Sequence, residues 1–382
     1  MDYLNLVHKF LNSDDCIFAP DVVKYLKMSL CGQPQRGRCA IVTAEPKHLD
    51  LIDKSFDPLT LTTGRFRPGD ADLFVAGQTD DVKRRIGEAE LLYYRGNVQE
   101  AMRRFEEIAD VGSLPAVTAS ILCRSICLLA DGSVDTLMDV FRSAAALKGV
   151  LPEDDPMRVL SGYLLLYFNI LIYNAPAIRF PEVGVRAFSV PASLKPMAFY
   201  VYTHYLLEIG DVGRAVGMAE GALLTSDESV PLPEINLSLV ICAGYMLRSE
   251  WSKAEYYFRH AWELAKPDGL IMPFVEHRRM LFGMVEKCLR YSEPQVYKQI
   301  QDLANDYHRH WVYIHNALTG DEITTSLTAI EYNVAKLAKL GMVNQEIADF
   351  TGISVNSVRA HLRHIFNKLG IESRKEISHY VI

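Results

Sequence analysis

The chain is 382 residues long, with 49% hydrophobic, 10% aromatic and 23% charged residues, which excludes a mostly disordered or collagen-like protein. At about 100–200 residues per domain there is room for two or three domains, each with its own core. Forty basic against 47 acidic residues leave a formal charge of −7, so the chain as a whole repels a polyanion.

The longest apolar run, Tyr163 to Tyr173, is interrupted by Asn169 and falls short of the ~20 residues that span a bilayer. The opening MDYLNLVHKF has no basic stretch leading into an apolar run, so no secretory signal is expected. These features predict a cytoplasmic protein with no membrane partner. Seven cysteines, at 16, 31, 39, 123, 127, 242 and 288, are scattered and form no CxxC pair, which argues against a zinc site. Cys123 and Cys127 lie one helical turn apart and read as small core residues, with redox sensing as the alternative.

Residues 1–86 form an N-terminal segment of mixed α/β character. Short β-like runs, CAIVTA from Cys39, LTLTTG from Leu59 and DLFVAG from Asp72, alternate with helical pieces, and prolines punctuate them. Asp14-Asp15 does not follow a strand-like run and makes a poor phosphoacceptor pair. A small mixed cap on the neighbouring domain, or a sensory module, fits this stretch.

Residues 87–315 carry a weak internal repeat. GEAELLYYRGNVQEAMRRFEEIA sets Ala89, Gly96, Ala101 and Phe105 in a frame. THYLLEIGDVGRAVGMAEGALL repeats it with Gly210, Ala215, Ala219 and Ala222, and CAGYMLRSEWSKAEYYFRHAWELAKP with Tyr245, Trp251, Ala254, Phe258 and Ala261. A degenerate copy places Gly132, Leu137, Phe141 and Ala144 likewise. The crossing positions 101, 137, 215 and 254 are separated by 36, 78 and 39 residues, so one blurred copy falls near Ala175. Small residues where helices cross and aromatic residues between hairpins resemble the tetratricopeptide pattern. The resemblance implies a mostly α array whose concave face receives a small-molecule or protein signal. Tyr93, Tyr94, Tyr202, Tyr205, Tyr256 and Tyr257 are candidates to line it, although helical spacing makes core their commoner role. DGLIMPFVEHRR, from Asp268, resembles the end of the repeat region in MalT-type regulators. No Gly-Lys pair exists anywhere, so the phosphate loop of the nucleotide-hydrolysing domain found in such regulators is missing. Residues 302–315 look helical, and 316–325 (NALTGDEITT) read as a linker.

Residues 326–382 reverse the charge. They hold seven basic and five acidic residues, leaving 33 basic and 42 acidic before Ser326, so the tail carries +2 and the body −9. Gly341, Gly352 and Gly370 divide the tail into four helices. Thr328 with Glu331 forms a capping box that starts the first helix; Asn344 and Ser354 are suited to cap the second and third. A join as short as Thr351–Ser354 is that of a helix-turn-helix. On the third helix, Ser354 to Leu369, the residues Val358, Leu362, Ile365 and Leu369 form a core stripe. Asn356, Arg359, Ala360, Arg363 and Asn367 form a small, polar, cationic front with no acidic residue, suited to a major groove.

Leu327-Thr328, Glu331, Gly341, Glu346-Ile347-Ala348, Ile353-Ser354, Ser357-Val358-Arg359-Ala360-His361, Ile365, Lys368-Leu369-Gly370 and Ser373-Arg374 are similar, at fixed spacing, to the helix-turn-helix domain of the LuxR family of bacterial transcription regulators. Ile330 stands where that family has arginine, and Phe350 where leucine is common. The resemblance implies base-edge contacts from Arg359, Ala360 and Arg363, and phosphate contacts from Ser357, His361 and Lys368, with Gln345 and Asn356 as further phosphate candidates. It also implies a homodimer on promoter DNA through the final helix, Ser373 to Tyr380, where Ile377 and Tyr380 either pair or close the domain core. No catalytic residue, metal site or cofactor is expected. His308 and His310, at i and i+2, point to different sides of a helix. The competing reading is an interaction scaffold whose tail docks a protein.

Overall fold

The computed structural model describes residues 59–109, scattered residues between 123 and 133 and between 167 and 171, then 192–225, 230–281, 283–319 and 326–381. The run from Cys39, the Asp14-Asp15 pair, the cysteines at 16, 31 and 39, the copy around Leu137 to Ala144 and the one near Ala175 lie outside these residues. Among the described residues every regular element is helical.

Among the described residues three antiparallel hairpins form the body: α1 (Ala71–Ala76) precedes α2 (Asp81–Tyr94) and α3 (Val98–Ala109), followed by α4 (Lys195–Glu208) with α5 (Val212–Leu224), and α6 (Pro231–Leu247) with α7 (Trp251–Ala265). Each pair packs side by side, and α6 also packs against both α4 and α5. The crossing alanines Ala101, Ala215 and Ala254 are completely buried. Close approach is strictest at Gly244, where an added Cβ would lie 2.3 Å from Val216 Cγ2. The hairpin turns at Gly96 and Gly210 use left-handed backbone, and the third turn places Ser249 there instead, at φ 59°.

The N-terminal expectations change. DLFVAG is helical, forming most of α1, and Leu59–Gly64 is an irregular turn. Its backbone finds a side chain instead of a neighbouring strand: the buried Glu90 carboxylate accepts from the N–H groups of Thr60 (2.9 Å), Leu61 (2.6 Å) and Thr62 (3.1 Å). The boundary expected at 86/87 falls inside α2, which begins at Asp81 because Asp80 caps it through the Lys83 N–H at 3.0 Å. Of the tyrosines proposed for a concave face, Tyr93, Tyr94 and Tyr205 are buried and Tyr256 is exposed. Cys123, Cys127, Cys242 and Cys288 are buried in the interior.

The segment from Asp268 to Arg279, including α8 (Met272–Glu276), is the hub of the body. Asp268 accepts from the N–H groups of Gly69 and Ala71 at 2.7 and 3.0 Å. Tyr93 donates to Glu276, Tyr200 and His277 are 2.9 Å apart, and Arg278 pairs with Glu286 of α9 (Met284–Leu289) in the interior. The long helix α10 (Pro294–Thr319) packs on α8 and α9. It runs four residues into the stretch expected to be a linker, since Ile314 and His315 are buried near its end.

Burial pushes the Glu276 carboxyl up to about 7, so it is protonated in the fold over a range where the unfolded chain ionises. Its contribution is complete below the ordinary glutamate range and is lost as the pH rises toward 7. Glu276→Gln should raise stability by about 2 kcal/mol at pH 7 and lower it by about 1 kcal/mol at pH 4, from about 1.4 kcal/mol per pKa unit less the cost of a second amide proton, which is the same at both. Urea midpoints at the two pH values test this; an equal effect at both would mean that Glu276 is ionised in the fold.

Candidate nucleic-acid interface

The C-terminal domain is built from α11 (Ala329–Lys339), α12 (Asn344–Thr351), α13 (Val355–Leu369) and a 3-10 turn at Arg374–His379. Thr328 and Glu331 cap α11 reciprocally, with Glu331 N–H to Thr328 Oγ1 at 3.3 Å and Thr328 N–H to Glu331 Oε2 at 2.8 Å. Asn344 does not cap α12. It is the first helical residue, and Glu346 accepts from the Val343 N–H at 2.7 Å. The Asn344 side-chain oxygen, Oδ1, instead accepts from Arg374 at 3.2 Å, and Arg374 also donates to the backbone carbonyls of Ala338 and Met342. One guanidinium thereby ties the α11–α12 loop to the end of the domain. Gly352 supplies the left-handed turn, and Ser354 caps α13 through the Ser357 N–H at 3.0 Å.

Val358, Leu362 and Ile365 bury the back of α13. On its front, Asn356, Arg359, Arg363 and Asn367 are exposed and Ala360 is half-buried. Arg359 reaches Asn356 Oδ1 at 3.4 Å, a weak bond easily exchanged for another acceptor. An open cleft beside the helix is lined by Arg359, Arg363 and Arg374 together with Asn344 and Asn367. Arg359 and Arg363 offer guanidinium donors for guanine edges or phosphates and Asn367 a mixed donor–acceptor for adenine, while Arg374 and Asn344 in the cleft wall are bonded to each other. The front of α13 is exposed to solvent.

The expected phosphate-contacting residues divide. Asn356 is exposed and Ser357 half-exposed at the N-terminus of α13, and the Ser357 and Ser354 hydroxyls are 2.8 Å apart. Gln345 is exposed and donates to Asp349 at 2.8 Å. His361 is half-buried, and burial holds its imidazole below the usual range. Lys368 places its ammonium 2.6 Å from Glu331 Oε2, which neutralises much of its charge and joins α13 to α11. Burial would raise the Glu331 carboxyl, but Lys368 and the Thr328 hydrogen bonds outweigh it and hold it low. Ile377 is completely buried and closes the domain core, so little of the expected apolar edge remains beyond the half-buried Tyr380.

The domain is seated on the body, which the sequence did not indicate. Arg279 lies with its guanidinium carbon 3.3 Å from the Trp311 ring centroid and 4.6 Å from that of Tyr332, and donates to the Tyr332 hydroxyl at 2.5 Å. His308 also packs on Tyr332, its ring centroid 5.0 Å away, and burial, then Arg279, push it down to about 3, so it is neutral. Lys336 of α11 is buried too, and burial, then Arg279, hold its ammonium well below the usual lysine range. Trp251 meets Phe350 at 4.6 Å between ring centroids. Phe350 stands where the LuxR family commonly has leucine, and its larger side chain fills this seam. Gly283 allows a close approach: at φ +95°, an added Cβ would lie 2.9 Å from Thr351 Cγ2.

Residues 325–381 match the family described as bacterial regulatory proteins, luxR family. The C-terminus is therefore a LuxR-type helix-turn-helix domain, a DNA-binding rather than an enzymatic module. No curated protein and no solved structure matches the chain. No helix among the described residues is long and apolar enough to cross a membrane, and no group of three or more potential metal ligands occurs among them.

Proposed function

We propose that the chain is a cytoplasmic, sequence-specific regulator of transcription whose α13 reads promoter DNA. A MalT-like, tetratricopeptide-type body receives a small-molecule or protein signal. The observation that carries the reading is the open cationic front of α13 in a LuxR-type domain. Arg359, Ala360 and Arg363 are assigned to base edges, and Asn356, Ser357, Gln345 and His361 to phosphates. Lys368 fits a shared role, holding Glu331 in the free protein and turning to phosphate on DNA. Binding as a homodimer belongs to the same proposal. The three hairpins with buried alanines at their crossings support the repeat assignment.

Selection from random duplex DNA with the full chain, at two salt concentrations, tests the reading. A single enriched motif, lost when Arg359 and Arg363 are both alanine, is expected; phosphate contacts should make affinity fall with salt. Failure of the folded chain to enrich any motif would favour the interaction scaffold instead.

A further inference from the structure

The body meets the helix-turn-helix at the turn itself. After α9 the chain continues through Arg290 and Tyr291, and the Tyr291 hydroxyl donates to the Gly352 carbonyl at 3.1 Å. Gly352 leaves its own face open to the Tyr291 ring, which an added Cβ would touch at 3.7 Å. Ser354, the cap of α13, is two residues further on, at most about 7 Å of extended chain. The N-terminus of a 15-residue helix attracts phosphate, and the edge of the body beside it is therefore close to any DNA that α13 engages.

Charges on that edge are nearly all paired. Lys287 bonds Glu255 at 3.0 Å, Glu286 pairs with Arg278, and Glu293 pairs with Lys266. Arg290 differs. Among the described residues no carboxylate lies within ion-pair distance of it; its guanidinium is half-exposed and sits 5.6 Å from the centroid of the Tyr291 ring. Tyr291, although 75% exposed, is held at the turn by its hydroxyl and serves as a platform for that guanidinium. Exposed acids on the domain side, Glu346 and Asp349, are engaged by the Val343 N–H and by Gln345. An unpaired cation stacked on a phenol beside a helix N-terminus is chemistry suited to a phosphodiester oxygen.

We propose that the body itself holds DNA: Arg290, stacked on Tyr291, binds a backbone phosphate flanking the site read by α13. The inference rests on the DNA-binding reading and deepens it. It makes the docked arrangement the one that engages DNA. Phosphate contacts of this kind carry no sequence information, so the effect is uniform across sequences.

Binding of the full chain to its selected duplex and to a random duplex, measured across a salt series, tests this. Arg290→Ala should weaken both by the same factor, about three- to tenfold, and flatten the plot of log affinity against log salt by about 0.9. Arg290→Lys should keep most of that slope, and Tyr291→Phe should weaken binding less than Arg290→Ala. Lys83→Ala, an exposed cation of the first hairpin, should leave the slope unchanged. Thermal unfolding of each variant separates lost contact from lost fold. Wild-type affinity and slope in a folded Arg290→Ala chain would overturn the proposal. So would a loss confined to the selected duplex, which would place Arg290 on a base. A wild-type chain that retains neither duplex would refute the DNA-binding reading first and this inference with it.

Discussion

Arg359→Ala is expected to cost about 1–3 kcal/mol on the selected duplex, roughly five- to 150-fold, and much less on random DNA. The preference at one base position should relax while the others hold. Its guanidinium stands exposed on the front of α13 with only a 3.4 Å bond to Asn356, so the free protein loses almost no stability when it is truncated. Arg363→Ala should relax a different position, because it lies one helical turn further along the same face. Competition binding against a panel of single-base variants measures both. A uniform loss across the panel would reassign Arg359 to phosphate.

Arg279→Ala should release the helix-turn-helix from its seat. Arg279 is 4% exposed and stacks on Trp311 of the body and Tyr332 of α11 at once, and desolvated cation–π contacts contribute about 2 kcal/mol each. Trp311 belongs to the body, as Arg279 does, so what crosses the seam is the ring contact with Tyr332 and its hydrogen bond; after relief of the like charge on buried Lys336, about 1–2 kcal/mol of docking free energy is expected to be lost. The chain reports the event without a label: Trp251 and Trp311, two of its three tryptophans, both lie at this seam. Intrinsic fluorescence should shift, and amide exchange should accelerate across α11 and α12 while the recognised DNA motif stays the same. Arg279→Lys should not restore docking, because an ammonium cannot stack flat between two rings. Unchanged fluorescence and exchange in Arg279→Ala would mean that Phe350 on Trp251 and the approach at Gly283 hold the domain unaided. Arg359→Ala and Arg279→Ala thus separate reading from seating.

Legibility followed the range of the interaction. The cap at Thr328 with Glu331, the stop at Gly352, the Ser354 cap and the stripe of Val358, Leu362 and Ile365 are all written within a few residues, and the structure places them as the spacing predicts. Alanines at hairpin crossings were readable for the same reason, since a close crossing restricts residue size at one fixed point of each hairpin. Asn344 misled because a good cap residue is equally good at accepting from a distant arginine, and Arg374, 30 residues on, took it. LTLTTG misled because β-branched residues suit a strand only when a neighbouring strand exists. Here Glu90 satisfies the backbone instead.

The class of the molecule was legible in local pattern alone: a helical body of hairpins, and a cationic helix-turn-helix whose exposed face could be named residue by residue. How the two are joined emerges with the three-dimensional fold. Arg279 and Tyr332 are 53 residues apart, Tyr291 and Gly352 61, and Trp251 and Phe350 99. No local propensity encodes such pairs, because a side chain's partner is chosen by where the chain returns. A buried arginine, a neutral histidine and a suppressed lysine in one seam look, in sequence, like ordinary surface charge. Their burial gives them their role, and burial is a property of the fold.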